Sequence, residues 1–172
     1  MTLLNKIFKL IDFINIIFRN IGTFCIITLT FLLFLESILR LILGKSIIVV
    51  DEIGGLGMYI FIVLSIAPLY LRNEHLIVDI LVNKLSKKTQ HIIQIFLHLL
   101  TIIFGCFVTY TWWRFLLIPT LNTKKQLIMS NIVEWPSHVI GVIGWAMLAI
   151  TAATCLLIEI NKDVHLFNGG NS

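Results

Sequence analysis

Five histidines in a hydrophobic chain raise the question of bound haem, because histidines on facing helices are common haem ligands. His98 lies within a long apolar run, roughly 10 Å from one end at about 1.5 Å per helical residue. His138 stands near the opposite end of another apolar run, too far away to share one iron with His98. The sequence therefore predicts no cofactor, no catalytic residue and no metal ligand.

Two other groups of polar residues have spacings that could support chemistry. Glu36 and Arg40 are four residues apart on one helix face, and an ion pair explains them better than an ion relay, which would need further charges at the same depth. Arg72, His75 and Asp79 are close enough along a helix to bond one another. A His–Asp pair can act in acid/base catalysis, but no nucleophile accompanies this one, so a structural role is predicted.

The composition identifies the elements that carry these residues. Hydrophobic residues make up 58% of the 172-residue chain and charged residues 13%, with a mean hydropathy of +0.98. Such values exclude a soluble globular protein and indicate an all-α integral membrane protein with a single membrane domain. Four apolar stretches are long enough to cross a bilayer, and they cover residues 21–43, 53–71, 92–118 and 136–158.

The basic residues report on topology. The net charge of +4 is spread over the ends of the apolar stretches, which argues against nucleic acid as a partner. Eight basic residues against five favour both termini in the cytoplasm, with residues 159–172 as a tail. Residues 1–20 are amphipathic and predict a helix on the membrane surface, although they could also extend the first span. A second, short surface helix is predicted between spans two and three.

Small residues mark places where helices can approach one another closely. Asp51 and Glu52 open the second span, and Gly54 and Gly57 follow them. The last span begins with Trp135 and Pro136 at the predicted outer interface. It continues with a small-residue face that includes Gly141 and Gly144. These positions are predicted to be structural or interface residues.

Taken together, these features resemble the small membrane subunit, the DctQ type, of tripartite ATP-independent periplasmic transporters. The resemblance covers most of the chain, and its most specific part is the link Arg72, His75 and Asp79 directly after the second span. It implies a bacterial inner-membrane system in which a periplasmic binding protein delivers an organic acid to a large membrane subunit. That subunit would hold the sodium and substrate sites, and the present chain would brace it. Sialic acid or a C4-dicarboxylate is the implied substrate.

Two other functions fit the same helices. An anchor subunit for a respiratory or quinone-linked enzyme complex is compatible with a four-helix membrane protein. A small channel would require a polar face along a pore, and the four apolar stretches offer none.

Overall fold

The structure is a computed structural model, and it describes most of the chain in five ranges: residues 2–44, 48–72, 87–124, 126–127 and 130–168. The described residues are predominantly helical, with one isolated antiparallel bridge between Gln126 and Val133. The helices are α1 (Thr2–Leu43), α2 (Ile48–Leu71), α3 (Lys87–Thr111), α4 (Ile118–Thr123) and α5 (Trp135–Asn168).

Within the described residues, four helical stretches are long and apolar enough to cross a membrane. They are Lys6–Ile42, Glu52–Leu71, Thr89–Thr123 and Trp135–Ile160. Each contains most or all of one predicted span. The all-helical fold and the four apolar helices are therefore confirmed at this level.

The beginning of the chain differs from the preferred prediction. Helix α1 runs without interruption through 42 residues, roughly 63 Å at about 1.5 Å per residue. The separate surface helix predicted for residues 1–20 is not confirmed, because no helix boundary separates them from the first span. Ile11 and Asn15 are buried against the rest of the protein, which favours continuation of the helix. The second predicted surface helix falls on residues 73–86, outside the described residues.

The helices pack in the spatial order α1, α2, α5 and α3. Helices α2 and α5 run in the same direction, because Tyr59 and then Val63 meet Gly141 and then Gly144. Helix α1 packs against α2, and helix α3 packs against α5. A buried cluster near the end of α2 joins three of these helices, and it contains Ile11, Ala67, Tyr70, Met147, Leu148 and Ala152.

The third span contains a wider helical turn and continues beyond its predicted end at residue 118. Residues Trp112–Leu117 form a π-helical stretch in which the Ile118 N–H bonds to the carbonyl of Trp113. Pro119 gives the physical reason, because proline has no N–H and its ring collides with the carbonyl four residues earlier in a regular α-helix. The wider turn accommodates the ring, and the helix continues to Thr123 as α4.

Candidate helix-packing interface

Glycines bring α1 and α2 together. A Cβ atom built on Gly57 would lie 2.7 Å from a methyl carbon of Leu29, and one on Gly54 would lie 3.6 Å from a methyl carbon of Leu33. Gly55 has no atom within 4 Å of its hypothetical Cβ and faces away from this contact. The acidic-glycine opening of the second span therefore packs partly against the chain's own first helix.

Helices α2 and α5 approach one another at two glycines. A Cβ atom on Gly144 would clash with the side chain of Val63 and lie 2.8 Å from its backbone carbonyl oxygen. A Cβ atom on Gly141 would clash with the Tyr59 hydroxyl and lie 2.6 Å from Nε1 of Trp112. The rings of Tyr59 and Trp112 are stacked, with centroids 5.6 Å apart and planes 8° from parallel. Both predicted glycines of the last span therefore serve packing within this chain.

A third close contact joins α3 to α5. A Cβ atom on Gly105 would lie 3.0 Å from the Cβ of Ala149. Phe104 and Trp145 meet edge to face nearby, with centroids 6.0 Å apart. Gly105 was not among the predicted interface residues, although a lone glycine in an apolar helix was the signal that could have identified it.

A polar contact is buried between α1 and α5. Asn15 is 2% exposed and Thr151 is fully buried. The Asn15 amide donates to the Ile11 carbonyl at 3.0 Å and to the Thr151 hydroxyl at 3.2 Å. In a membrane, hydrogen bonds of this type hold helices together. Asn15 belongs to residues 1–20, which were predicted as an amphipathic surface helix, and its partner was not predicted.

Two histidines of α3 form contacts with neighbouring helices. His98 Nδ1 is hydrogen-bonded to the Tyr70 hydroxyl of α2, with the rings edge to face. His91 Nδ1 lies 3.1 Å from a carboxylate oxygen of Glu159 on α5. In the described part of the chain, no three His, Cys, Asp or Glu residues are placed to hold a metal ion. These histidines therefore tie helices together.

The ion pair predicted on the first span is present. A guanidinium nitrogen of Arg40 lies 2.7 Å from a carboxylate oxygen of Glu36. The Glu36 side chain is 7% exposed, whereas that of Arg40 is 52% exposed. The arginine therefore neutralises a buried acid while its own head group reaches the surface.

Glu52 fastens the loop between the last two spans to the start of α2. One carboxylate oxygen accepts hydrogen bonds from both the backbone N–H and the hydroxyl of Ser130, each at 2.9 Å. Glu52 and its neighbour Asp51 were predicted as acids at a helix start, whereas the contact with Ser130 was not predicted. The side chain of Asp51 lies outside the described residues.

The remaining predicted residues lie just after the end of α2 and in the first turn of α5. Arg72 is exposed just after α2, and His75 and Asp79 lie outside the described residues, so their mutual bonding stays a prediction. Trp135 and Pro136 occupy the first turn of α5, where both are exposed. An exposed tryptophan at the end of a span fits the predicted interfacial position.

The comparisons with known proteins give one match. The family model described as "Tripartite ATP-independent periplasmic transporters, DctQ component" matches residues 29–160, which include most of the packing contacts described above. Comparisons with curated proteins and with solved structures give no match. The match does not support the alternative of a respiratory anchor subunit. The chain belongs to the DctQ family, the small membrane subunits that work with a large membrane subunit and a periplasmic binding protein in these transporters.

Proposed function

We propose that this chain braces the large subunit of a bacterial inner-membrane transporter, with both of its own termini in the cytoplasm. The observation that carries the proposal is the apolar outer face of α1. Phe24 is 72% exposed, Ile27 62%, and Phe31 and Phe34 61% each. A face of this kind must be covered by lipid or by another membrane protein, and its bulky aromatic side chains provide a large contact area.

The internal contacts support a bracing role because they already occupy the chain's own small residues. Gly57 packs on α1, Gly144 on α2 and Gly105 on α5. Gly54 also meets α1, so the proposed contact with the large subunit runs through the outer face of α1 and not through these glycines. Glycine packing makes the small subunit a rigid layer, and the outer face of that layer meets the partner.

The polar groups described inside the helix layer also fit a scaffold. Asn15 bonds Thr151, Tyr70 bonds His98, and His91 meets Glu159. Each contact joins two helices of this chain, and a transport site would instead present such groups toward a passing substrate. We therefore place the sodium and substrate sites in the large subunit.

The proposed substrate is an organic acid delivered by the periplasmic binding protein and driven inward by sodium. Sialic acid is our first choice and a C4-dicarboxylate the second, and both rest on the likeness of the sequence to its family. Uptake of labelled sialic acid, and in a parallel series of a labelled C4-dicarboxylate, into proteoliposomes tests this proposal. This chain, the large subunit and the binding protein are each omitted in turn. Uptake that requires all three components and an inward sodium gradient is the expected result. A stable complex that moves neither acid would refute the substrate proposal.

The bracing surface has a separate test. Replacing both Phe24 and Phe31 with alanine should weaken co-purification of the large subunit while the small subunit still accumulates in the membrane. The matched control replaces Phe96 and Phe107, which are 62% and 66% exposed on the outer face of α3. Equal effects of the two double variants would show that α1 is not the bracing face.

A further inference from the structure

A groove runs along the surface between α3 and α5, toward the end that carries the loop between these helices. Its volume is about 400 Å³, and it is open along one side. Side chains one or two turns apart form its walls. They include Cys106 and Tyr110 from α3, Trp113 from the π-helical stretch that follows, and Val142, Ala146 and Ile150 from α5. An open and almost wholly apolar groove between two helices offers a surface on which a hydrocarbon chain can lie.

Arg114 stands beside this groove and needs an anion. It is exposed and lies within the third membrane-crossing stretch, Thr89–Thr123. Among the described residues it has no hydrogen bond or ion pair, whereas Arg40 is paired with Glu36. An arginine in a membrane span is costly without a partner or access to the interface, and no described residue supplies that partner.

The position of Arg114 links the two features. It follows the groove residue Trp113 directly and lies one turn beyond Tyr110, another groove residue. Trp112, two positions earlier, is turned toward α2, where it stacks on Tyr59. Since residues two apart on a helix point to nearly opposite sides, Arg114 faces away from α2 and toward the membrane.

We infer that the groove and Arg114 form a binding site for an anionic phospholipid. One acyl chain lies against the apolar wall between α3 and α5, and the guanidinium holds the phosphate in the charge-assisted pairing that arginine favours. Tyr110 and Trp113 sit at the level of the head group, as aromatic residues at membrane interfaces commonly do. A lipid bound at this site would lie beside α3, which is at the opposite end of the helix order from α1.

The test uses native mass spectrometry of the small subunit in complex with the large subunit. The complex is exchanged into mixtures of phosphatidylglycerol and phosphatidylcholine with identical chains. We expect retained phosphatidylglycerol, and Arg114→Gln should lower its retention about tenfold, the effect of losing one charged hydrogen bond. Lys124→Gln removes an exposed charge near the same end and should leave retention unchanged.

A second pair of variants tests the groove itself. Ala146→Phe fills the groove and should reduce retention with Arg114 intact, whereas Ile143→Phe enlarges an exposed side chain of α5 outside the groove wall and should not. Equal retention in Arg114→Gln and the native chain would overturn the proposal. So would loss of the large subunit from Arg114→Gln with lipid retention unchanged, because a carboxylate of that subunit would then be the counter-ion.

Discussion

Replacing Gly144 with alanine adds one methyl group where α5 packs directly on the backbone of α2. The new carbon would lie 2.8 Å from the Val63 carbonyl oxygen and 3.2 Å from its carbonyl carbon. Val63 is 2% exposed, so α2 has to move as a whole to relieve the contact. Overpacking of this kind costs about 1–3 kcal/mol, and the helix preference of alanine over glycine returns up to about 1 kcal/mol.

The same substitution at Gly55 is the matched control. Its new methyl group meets no atom within 4 Å, so the change in helix preference acts alone. Thermal unfolding of the purified subunit in detergent measures both variants. With a cost of about 2 kcal/mol for overpacking and a gain of about 1 kcal/mol for helix preference, Gly144→Ala loses about 1 kcal/mol. It should therefore lower the midpoint by about 2–4 °C at this chain size. Gly55→Ala should leave the midpoint unchanged or raise it.

Combining Gly144→Ala with Val63→Ala separates the two parts of the clash. The second change removes the side-chain contact and leaves the carbonyl oxygen in place, but it also costs stability because Val63 is buried. Gly144→Ala should therefore lower the midpoint less in the Val63→Ala background than in the native chain, although it should still lower it. Unfolding midpoints for Gly144→Ala at or above that of the native chain would refute the packing geometry of α2 and α5. Equal midpoints for Val63→Ala with and without Gly144→Ala would show that the backbone contact is not the obstacle.

Three further predictions concern the polar contacts. Replacing Glu52 with alanine should accelerate hydrogen exchange at the Ser130 amide, because the carboxylate accepts that N–H, and unchanged exchange would contradict the contact. Asn15→Ala should lower the free energy of unfolding by about 0.6–1.7 kcal/mol, measured by thermal unfolding. Asn15→Leu combined with Thr151→Val should cost less, because this double variant leaves no buried hydroxyl without its partner. Glu36→Ala should lower the free energy of unfolding by on the order of 1 kcal/mol. This is less than the cost of breaking a fully buried ion pair, because Arg40 is half exposed. A loss of several kcal/mol would show that the pair is more deeply buried.

The sequence by itself determined the features that depend on composition or on neighbours along one helix. Four apolar stretches of sufficient length define the membrane-crossing elements, because each backbone polar group in lipid must be satisfied within its own helix. The Glu36–Arg40 pair follows from a spacing of four residues, which helix geometry converts into contact. The small-residue face of the last span was also evident from spacing, without the identity of the helix it meets.

The tertiary structure alone decided which helices lie side by side and in what register. The sequence separations of the Asn15–Thr151 and Glu52–Ser130 contacts are 136 and 78 residues, and no local pattern specifies them. The continuity of α1 was similarly undecided, because an amphipathic start suits either a surface helix or one that packs on α5. Small residues permit close approach to any neighbour, and the order α1, α2, α5, α3 assigns Gly144 to Val63 rather than to another protein.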